Sequence, residues 1–437
     1  MPPPSEYRLP PIRAVLVVVA VFAVLSHFSA VHHSESYSAS VSSVRDKLGL
    51  GSDGMPLGAR VRLGQAAAGS MASHGASMWN DDRVAELNSS TRANATFFIL
   101  ARNSDVWDIL KSIRGMEDRF NHKHHYPYVF LNDQPFDDDF KRLTSSIASG
   151  PCSYGLVPKE HWEEPAWIDE TKAAAARQKM AEEKVIYGDS KVYRRMCRYE
   201  SGFFYRHELL RPYKYYWRLD PNVQYCASRE PLRPKPKSRR HGLTLWSGGC
   251  FVTRTVCDLD YDPFRYMQDH GKKYGWTISL YEYEATIPTL WQHTKDFIDR
   301  HPQYLPEQNL MEWISPDQGK TYNRCHFWSN FEIADLDFFR GEAYSRYFDH
   351  LDRAGGFSYE RWGDAPIHSI AAALFMKRDQ VHWFHDLGYR HEPFQHCPQS
   401  AKDRCACDPR SQQNFESHWY SCTPKYKELQ PDWKAFP

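Results

Sequence analysis

Two periods of apolar spacing alternate along this chain, and each change of period marks an element. Residues 96–101 (TFFILA) and 126–131 (YPYVFL) are short, continuous apolar runs of the kind that form buried strands. Between them, Val106, Ile109, Leu110, Ile113, Met116 and Phe120 fall three and four apart, which predicts a helix with Ser104 capping its start. Strand, helix and strand in this order predict a β-α-β unit with parallel strands. A second helix is expected over 192–204. The aromatic run 213–219 follows as a strand and ends in the acidic turn Asp220-Pro221-Asn222. Further helices are expected around Ile287, Leu290, Trp291, Phe297 and Ile298, then around Tyr344, Tyr347, Phe348 and Leu351, and from Asp364 and Pro366 through Ala371 to Phe375. This alternation indicates an α/β domain. Such sheets meet their ligands at the carboxyl ends of strands, so Asp220 stands where a ligand or metal ion would bind.

The amino-terminal pattern is different. Residues 14–31 are apolar with no acid or base, follow Arg8 and Arg13, and just reach across a hydrocarbon core of about 30 Å. They read as a retained anchor with 1–13 in the cytosol and the remainder in the lumen; a cleaved signal peptide is the alternative. Ser, Ala and Gly dominate the next stretch, so 32–90 reads as a flexible stem ahead of a domain at 91–437. Two sequons, at Asn88 and Asn94, agree with a lumenal location. Ten cysteines in an oxidising compartment read as disulfides, and Cys397, Cys405, Cys407 and Cys422 are expected to form two of them rather than a zinc site.

With 437 residues and a formal charge of +1, the chain lacks the basic balance that nucleic-acid binding calls for. The 15% share of aromatic residues suits either an aromatic core or sugar stacking. No Walker loop, G-x-G-x-x-G or H-E-x-x-H is present, which excludes P-loop, simple dinucleotide and zincin readings.

Eight segments in order carry a resemblance: ATFFILARNSDVWDILKSIRGMEDRFN, YPYVFLNDQPF, YRRMCRYESGFFYRHELL, YKYYWRLDPNV, YGWTISLYEYEATIPTLW, YNRCHFWSNFEIADLDFFR, GGFSYERWGDAPIHSIAAALF and LGYRHEPFQHCP. Over residues 91–400, with one break, the chain resembles the fungal Golgi α-1,2-mannosyltransferases of the Kre2/Mnt1 type, glycosyltransferase family 15. The resemblance implies a type II Golgi membrane enzyme with a GT-A-like fold. It would move mannose from GDP-mannose to a mannose hydroxyl of N- or O-linked glycoprotein glycans with retention, and use Mn²⁺.

Residue by residue, the resemblance implies metal ligands at Asp220 and His391, with Asn222 standing where the family has a second acid. Glu332 matches the carboxylate beneath the anomeric carbon, where a retaining transferase needs a base, nucleophile or electrostatic stabiliser. Tyr193 and Arg218 match residues lining the donor site, and Arg218 offers a planar fork suited to a diphosphate. Asp364 reads either as a contact to an acceptor hydroxyl or as a helix cap. Arg102 and Asn103 after the first strand, and Asn132 and Asp133 after the next, stand where the nucleotide end of the donor would bind. The bland alternatives are a loop histidine for His391, a proline-directed turn for Asp220, and a surface glutamate for Glu332. Asp137-Asp138-Asp139 also fits a D-x-D pattern, but reads as a helix start, and Asp258-Leu259-Asp260 ranks below Asp220 as well.

The break at 226–256 contains the basic, proline-rich run REPLRPKPKSRRHG. It reads as a surface loop, a retained intron or, last, a polybasic site. Two rival functions stand beside the transferase: a non-catalytic glycan-binding homologue of the same fold, and a glycoside hydrolase with paired carboxylates.

Overall fold

The computed structural model describes residues 92–225, 261–398, 407, 408 and 410–430. The readings for the anchor at 14–31, the stem, Asn88, the break at 226–256, Asp258, Asp260 and Cys405 lie outside the described residues. Among those described, no helix is long and apolar enough to cross a membrane.

The parallel core forms as the apolar runs predict. Strand β1 (Ala95–Leu100) leads through helix α1 (Val106–Met116) to β2 (Tyr128–Asn132), and helix α2 (Asp138–Ile147) leads on to β3 (Cys152–Leu156). Helix α3 (Lys191–Gly202) precedes β4 (Tyr215–Arg218), which pairs parallel with β1. After helix α4 (Pro263–Asp269) come β5 (Tyr274–Trp276), β6 (Ser279–Tyr281), helix α5 (Leu290–Arg300), β7 (Cys325–Phe327) and β8 (Ile333–Asp335). Helix α6 (Glu342–Ala354), helix α7 (Asp364–Phe375), β9 (Val381–Trp383), β10 (Tyr389–His391) and β11 (Phe394–His396) follow. The main sheet runs in the order β3-β2-β1-β4-β8-β5-β9, and only β8 is antiparallel to its neighbours.

Successive strand residues enter opposite cores, as a period of two requires. Phe98, Val129, Leu131, Tyr216, Tyr274, Trp276 and Ala334 pack on one face with α3, α5, α6 and α7. Phe97, Ile99, Tyr128, Phe130, Tyr215, Trp217 and Ile333 pack on the other with α1 and α4. A sheet covered on both faces explains why its strands read as unbroken apolar runs.

Several local expectations shift. Ser104 does not cap α1. A short 3-10 turn (Asn103–Asp105) comes first, and the Asp105 carboxylate accepts from the Arg102 N–H at 3.0 Å. The run 213–219 yields a strand only over Tyr215–Arg218. Leu219 N–H still donates to the Phe98 carbonyl at 2.9 Å, and then Pro221, with no N–H to give, ends the ladder. Asp137 is a helix cap, accepting from Phe140 N–H at 2.7 Å. The carboxyl-terminal cysteines pair among themselves only in part. Cys397 joins Cys407, whereas Cys422 joins Cys325 at the start of β7, 97 residues away. That pairing follows from β6 and β7 running beside the chain at Ser421, a long-range contact that cysteine spacing does not encode.

Helices α3 and α6 approach closely where Gly202 faces Phe348; a Cβ on Gly202 would lie 1.9 Å from that ring. Beside this contact, buried Arg198 donates to both oxygens of buried Asp352, at 2.7 and 2.9 Å. Removing one partner of such a pair strands a buried charge. Asp352→Ala is expected to cost about 3–5 kcal/mol, read as a lower urea midpoint with an unchanged slope.

Candidate active site

Backbone pairing builds the site before any side chain acts. Strands β1, β2, β3 and β4 end at one edge of the sheet, and antiparallel β8 begins there, so Glu332, just before β8, reaches the same edge. Arg218 N–H donates to the Glu332 carbonyl at 2.8 Å. The buried Arg218 guanidinium then reaches two ways. Nε and Nη2 donate to the Asp220 carboxylate at 2.8 and 3.3 Å, and Nη1 donates to Asp364 Oδ2 at 2.6 Å. Ser329 Oγ donates to the same Asp364 oxygen at 2.7 Å. Asp364 is therefore no cap. Gly363 holds that position, and Asp364 is the first residue of α7, its carboxylate turned to the arginine.

Glu332 is wholly buried. Its Oε2 accepts from Tyr274 Oη at 2.6 Å and lies 2.9 Å from His368 Nδ1. Its Oε1 is buried with no hydrogen-bond partner among the described residues. The other ring nitrogen of His368, Nε2, lies 3.1 Å from the Glu200 carbonyl. Glu200 is buried on α3, and its carboxyl completes the group of acids.

Electrostatics splits these acids. Burial pushes the Glu200 carboxyl up to about 8, against the pull of Arg218 and with the repulsion of Asp364, Asp220 and Glu332. Burial also raises Glu332, opposed by His368. For Asp364 burial works the same way, yet Arg218, His368 and Ser329 together bring it below the ordinary carboxylate range. Burial disfavours the Arg218 charge, but Asp220, Glu200 and Asp364 more than restore it.

Glu200, Tyr274 and His368 were not singled out by sequence reasoning. His368 carried a signal: it lies four residues after Asp364, which on a helix shares its face. Glu200 lies seven residues after Tyr193 on α3, again two turns along one face. Tyr274 carried none.

The expected metal residues stand at the rim. The chain beyond Asp220 is tied to β10 by reciprocal backbone bonds between Gln224 and Arg390, at 2.8 and 2.7 Å, which brings Asp220 and His391 onto neighbouring stretches. Nδ1 of His391 lies 3.0 Å from the Glu392 carbonyl, an acceptor, so Nδ1 carries the hydrogen and Nε2 keeps its lone pair for a ligand. Asn222 is exposed with φ at +60°, a left-handed turn that Asn and Asp tolerate better than other side chains. Among the described residues no group of three His, Cys, Asp or Glu side chains could by itself hold a metal. A carboxylate, an imidazole with a free Nε2 and an amide fit an ion that completes its shell with water and phosphate oxygens.

The remaining expected residues are placed as follows. Asn103 ties the loops after β1 and β2 together, donating to Pro135 O at 3.0 Å and accepting from Asp137 N–H at 3.2 Å. Arg102 is exposed and paired with Asp105, while Asn132 is buried and Asp133 half-buried at the end of β2. These four share the sheet edge but stand apart in sequence and strand from the Arg218 group. Half-buried Tyr193 stacks on Tyr187 beneath the Arg361 guanidinium. Asn94 is exposed, and its amide donates to Pro212 O at 2.7 Å.

Fold and site together define an α/β protein whose ligand-binding edge lies at the carboxyl ends of a mixed, mostly parallel sheet. The chain belongs to the glycosyltransferase family described as glycolipid 2-alpha-mannosyltransferase, matching it over residues 63–229 and 252–431. Residues 230–251, inside the break noted above, fall between the two matched stretches. It is 52% identical over 342 residues to glycolipid 2-alpha-mannosyltransferase 1 of Candida albicans, covering 77% of this chain and 72% of that protein. It is 50% identical to alpha-1,2 mannosyltransferase KTR1 of Saccharomyces cerevisiae, covering 77% of this chain and 79% of the relative. Among solved structures, core-mannan synthase A of Aspergillus fumigatus in its Mn/GDP form matches with a TM-score of 0.67 and 41% identity, over 78% of this chain and 86% of the other. The mannosyltransferase Ktr4p of Saccharomyces cerevisiae in complex with GDP matches with the same TM-score and 36% identity, over 77% and 82%.

Glu200 gives the site a signature in stability. Its folded pKa of about 8 lies above the ordinary 4.5, so the folded state holds a proton that the unfolded state releases as pH rises between these values. The stability it contributes is complete below about pH 4.5 and is lost as pH rises toward 8. Glu200→Gln, which cannot ionise, is expected to gain on the wild type by a few kcal/mol, at about 1.4 per pH unit, between pH 5 and 8 in urea melts.

Proposed function

We propose that this protein transfers mannose from GDP-mannose to a mannose hydroxyl of protein-linked glycans with retention, forming α-1,2 linkages, on a GT-A-like fold. The observation that carries this reading is Glu332: fully buried, one oxygen held between Tyr274 Oη and His368 Nδ1, the other without a partner among the described residues. Membership of the mannosyltransferase family and the names of its relatives support the donor, sugar and linkage.

Each residue then has a task. Breaking the bond between the sugar and GDP leaves positive charge at the anomeric carbon. Glu332 Oε1 meets that charge, as nucleophile or as counter-charge, and either course retains configuration. Because Glu332 lies out of water, its charge acts at low dielectric, where it counts for more. Asp364, held ionised by Arg218, is suited to accept a hydrogen bond from the acceptor hydroxyl. Arg218 serves the donor side by orienting Asp220 through its fork. Asp220 and His391, with Asn222 beside them, would hold Mn²⁺, which when bound neutralises diphosphate charge as the leaving group departs. A relative crystallised in an Mn/GDP form supports that choice of ion. Arg102, Asn103, Asn132 and Asp133 line the edge on the nucleotide side, and Tyr193 closes the sugar side from α3.

The apolar run at 14–31, preceded by Arg8 and Arg13, supports placement as a single-pass type II Golgi membrane protein with its catalytic domain in the lumen. Sequons at Asn88 and Asn94 fit that side of the membrane.

Purified full-length protein, given GDP-mannose, an α-mannoside acceptor and Mn²⁺, is expected to form an α-1,2-linked product and to stop on chelation. Glu332→Gln is expected to lower transfer by about a thousandfold or more while the protein still folds, read by its circular dichroism spectrum. Asp220→Ala and His391→Ala are expected to raise the Mn²⁺ concentration needed for half-maximal rate. GDP-mannose binding without any transfer by the wild type would instead support the non-catalytic homologue.

A further inference from the structure

We propose that His368, together with Tyr274, is a positioning device for Glu332: the imidazole holds the proton that Glu332 gives up, and the two donors fix one carboxylate oxygen so that the other faces the reaction. This inference rests on the transferase reading above.

The far side of the ring sets its tautomer. His368 Nε2 lies 3.1 Å from the Glu200 carbonyl, which can only accept, so Nε2 carries a hydrogen. In the neutral ring Nδ1 then has none. Yet Nδ1 lies 2.9 Å from Glu332 Oε2, a contact that requires one hydrogen between them. The pair therefore holds a single shared proton, and whenever Glu332 is an anion that proton sits on His368. Tyr274 Oη donates to the same oxygen at 2.6 Å. Two donors converging on Oε2 favour the ionised carboxylate, opposing the burial that raises it. Oε1 is left without a hydrogen-bond partner among the described residues, and so is the oxygen available to act.

The surroundings suit this task. Phe204, Phe339 and Tyr344 ring the imidazole at centroid distances of 6.2, 4.9 and 6.0 Å, fixing its orientation and excluding water. The other titratable or charged groups facing the pair are Asp364 on α7, Glu200 on α3, Arg218 on β4 and Tyr344 on α6. Asp364 repels a charge on Glu332, and Arg218 is already engaged by Asp220 and Asp364. His368 is thus the basic side chain that contacts the Glu332 carboxyl directly.

The test measures kcat and KM for GDP-mannose across about pH 5 to 9, using full-length wild type, His368→Asn, His368→Leu and Tyr274→Phe. Asparagine places a neutral amide donor near the position of Nδ1, whereas leucine removes the donor altogether. Both His368 variants are expected to lose about 10- to 100-fold in kcat, the factor for a lost charge-assisted hydrogen bond, with KM nearly unchanged. Their acid limb in kcat/KM is expected to move to higher pH, because removing the cation makes Glu332 harder to ionise. His368→Asn should retain more kcat than His368→Leu, and Tyr274→Phe should move the limb the same way by less. If His368→Leu fails to fold, the asparagine and phenylalanine variants decide. Folded variants with the wild-type pH profile would overturn the inference alone. A wild type that transfers no mannose would overturn the functional reading and this inference with it.

Discussion

One guanidinium governs the geometry of this site. Arg218 joins the acidic turn after β4 to the first turn of α7 through Asp220 and Asp364, while its own N–H pins the peptide of Glu332. Without it, these carboxylates would repel one another in a buried space. The charge is costly to bury, yet once surrounded by partners it is costlier to remove, since each acid would be left unpaired. A lysine could not substitute, because a single ammonium lacks the planar fork that reaches two carboxylates at once.

That tie allows neighbouring acids to hold different protonation states at one pH. Glu200 keeps its proton to about pH 8, whereas Asp364 stays ionised through Arg218 and Ser329. With Glu200 neutral, the Arg218 guanidinium faces the carboxylates of Asp220 and Asp364, beside the Glu332–His368 pair. A small negative excess remains at the edge where a divalent ion and a diphosphate would meet. Environments that separate the pKa values of adjacent acids also separate their roles.

The site divides into a rigid interior and an open rim. Inside, Glu332, His368, Tyr274 and Asp364 are buried and cross-linked. At the rim, Asn222 is exposed in a left-handed turn and His391 keeps one ring nitrogen free. Asn222 suits that turn, because Asn tolerates positive φ as Asp does, and it brings a neutral amide to the rim.

The amino-acid order by itself determined the parallel strands, the helices between them and the acidic turn at the edge, because apolar period is a local property that a short window reports. It also supplied Glu332, Asp220 and Arg218, through segments that resemble a family. The partners of those residues were decided only by the tertiary structure. Arg218 meets Asp364 across 146 residues, Tyr274 meets Glu332 across 58, and His368 meets Glu332 across 36. No spacing rule reaches that far. Asp364 looked equally suited to capping a helix, and only the fold turned it toward an arginine. The pairing of Cys422 with Cys325, and the proton retained by Glu200, have the same origin: burial and long-range contact arise when the sheet and its covering helices close, not from the local order of residues.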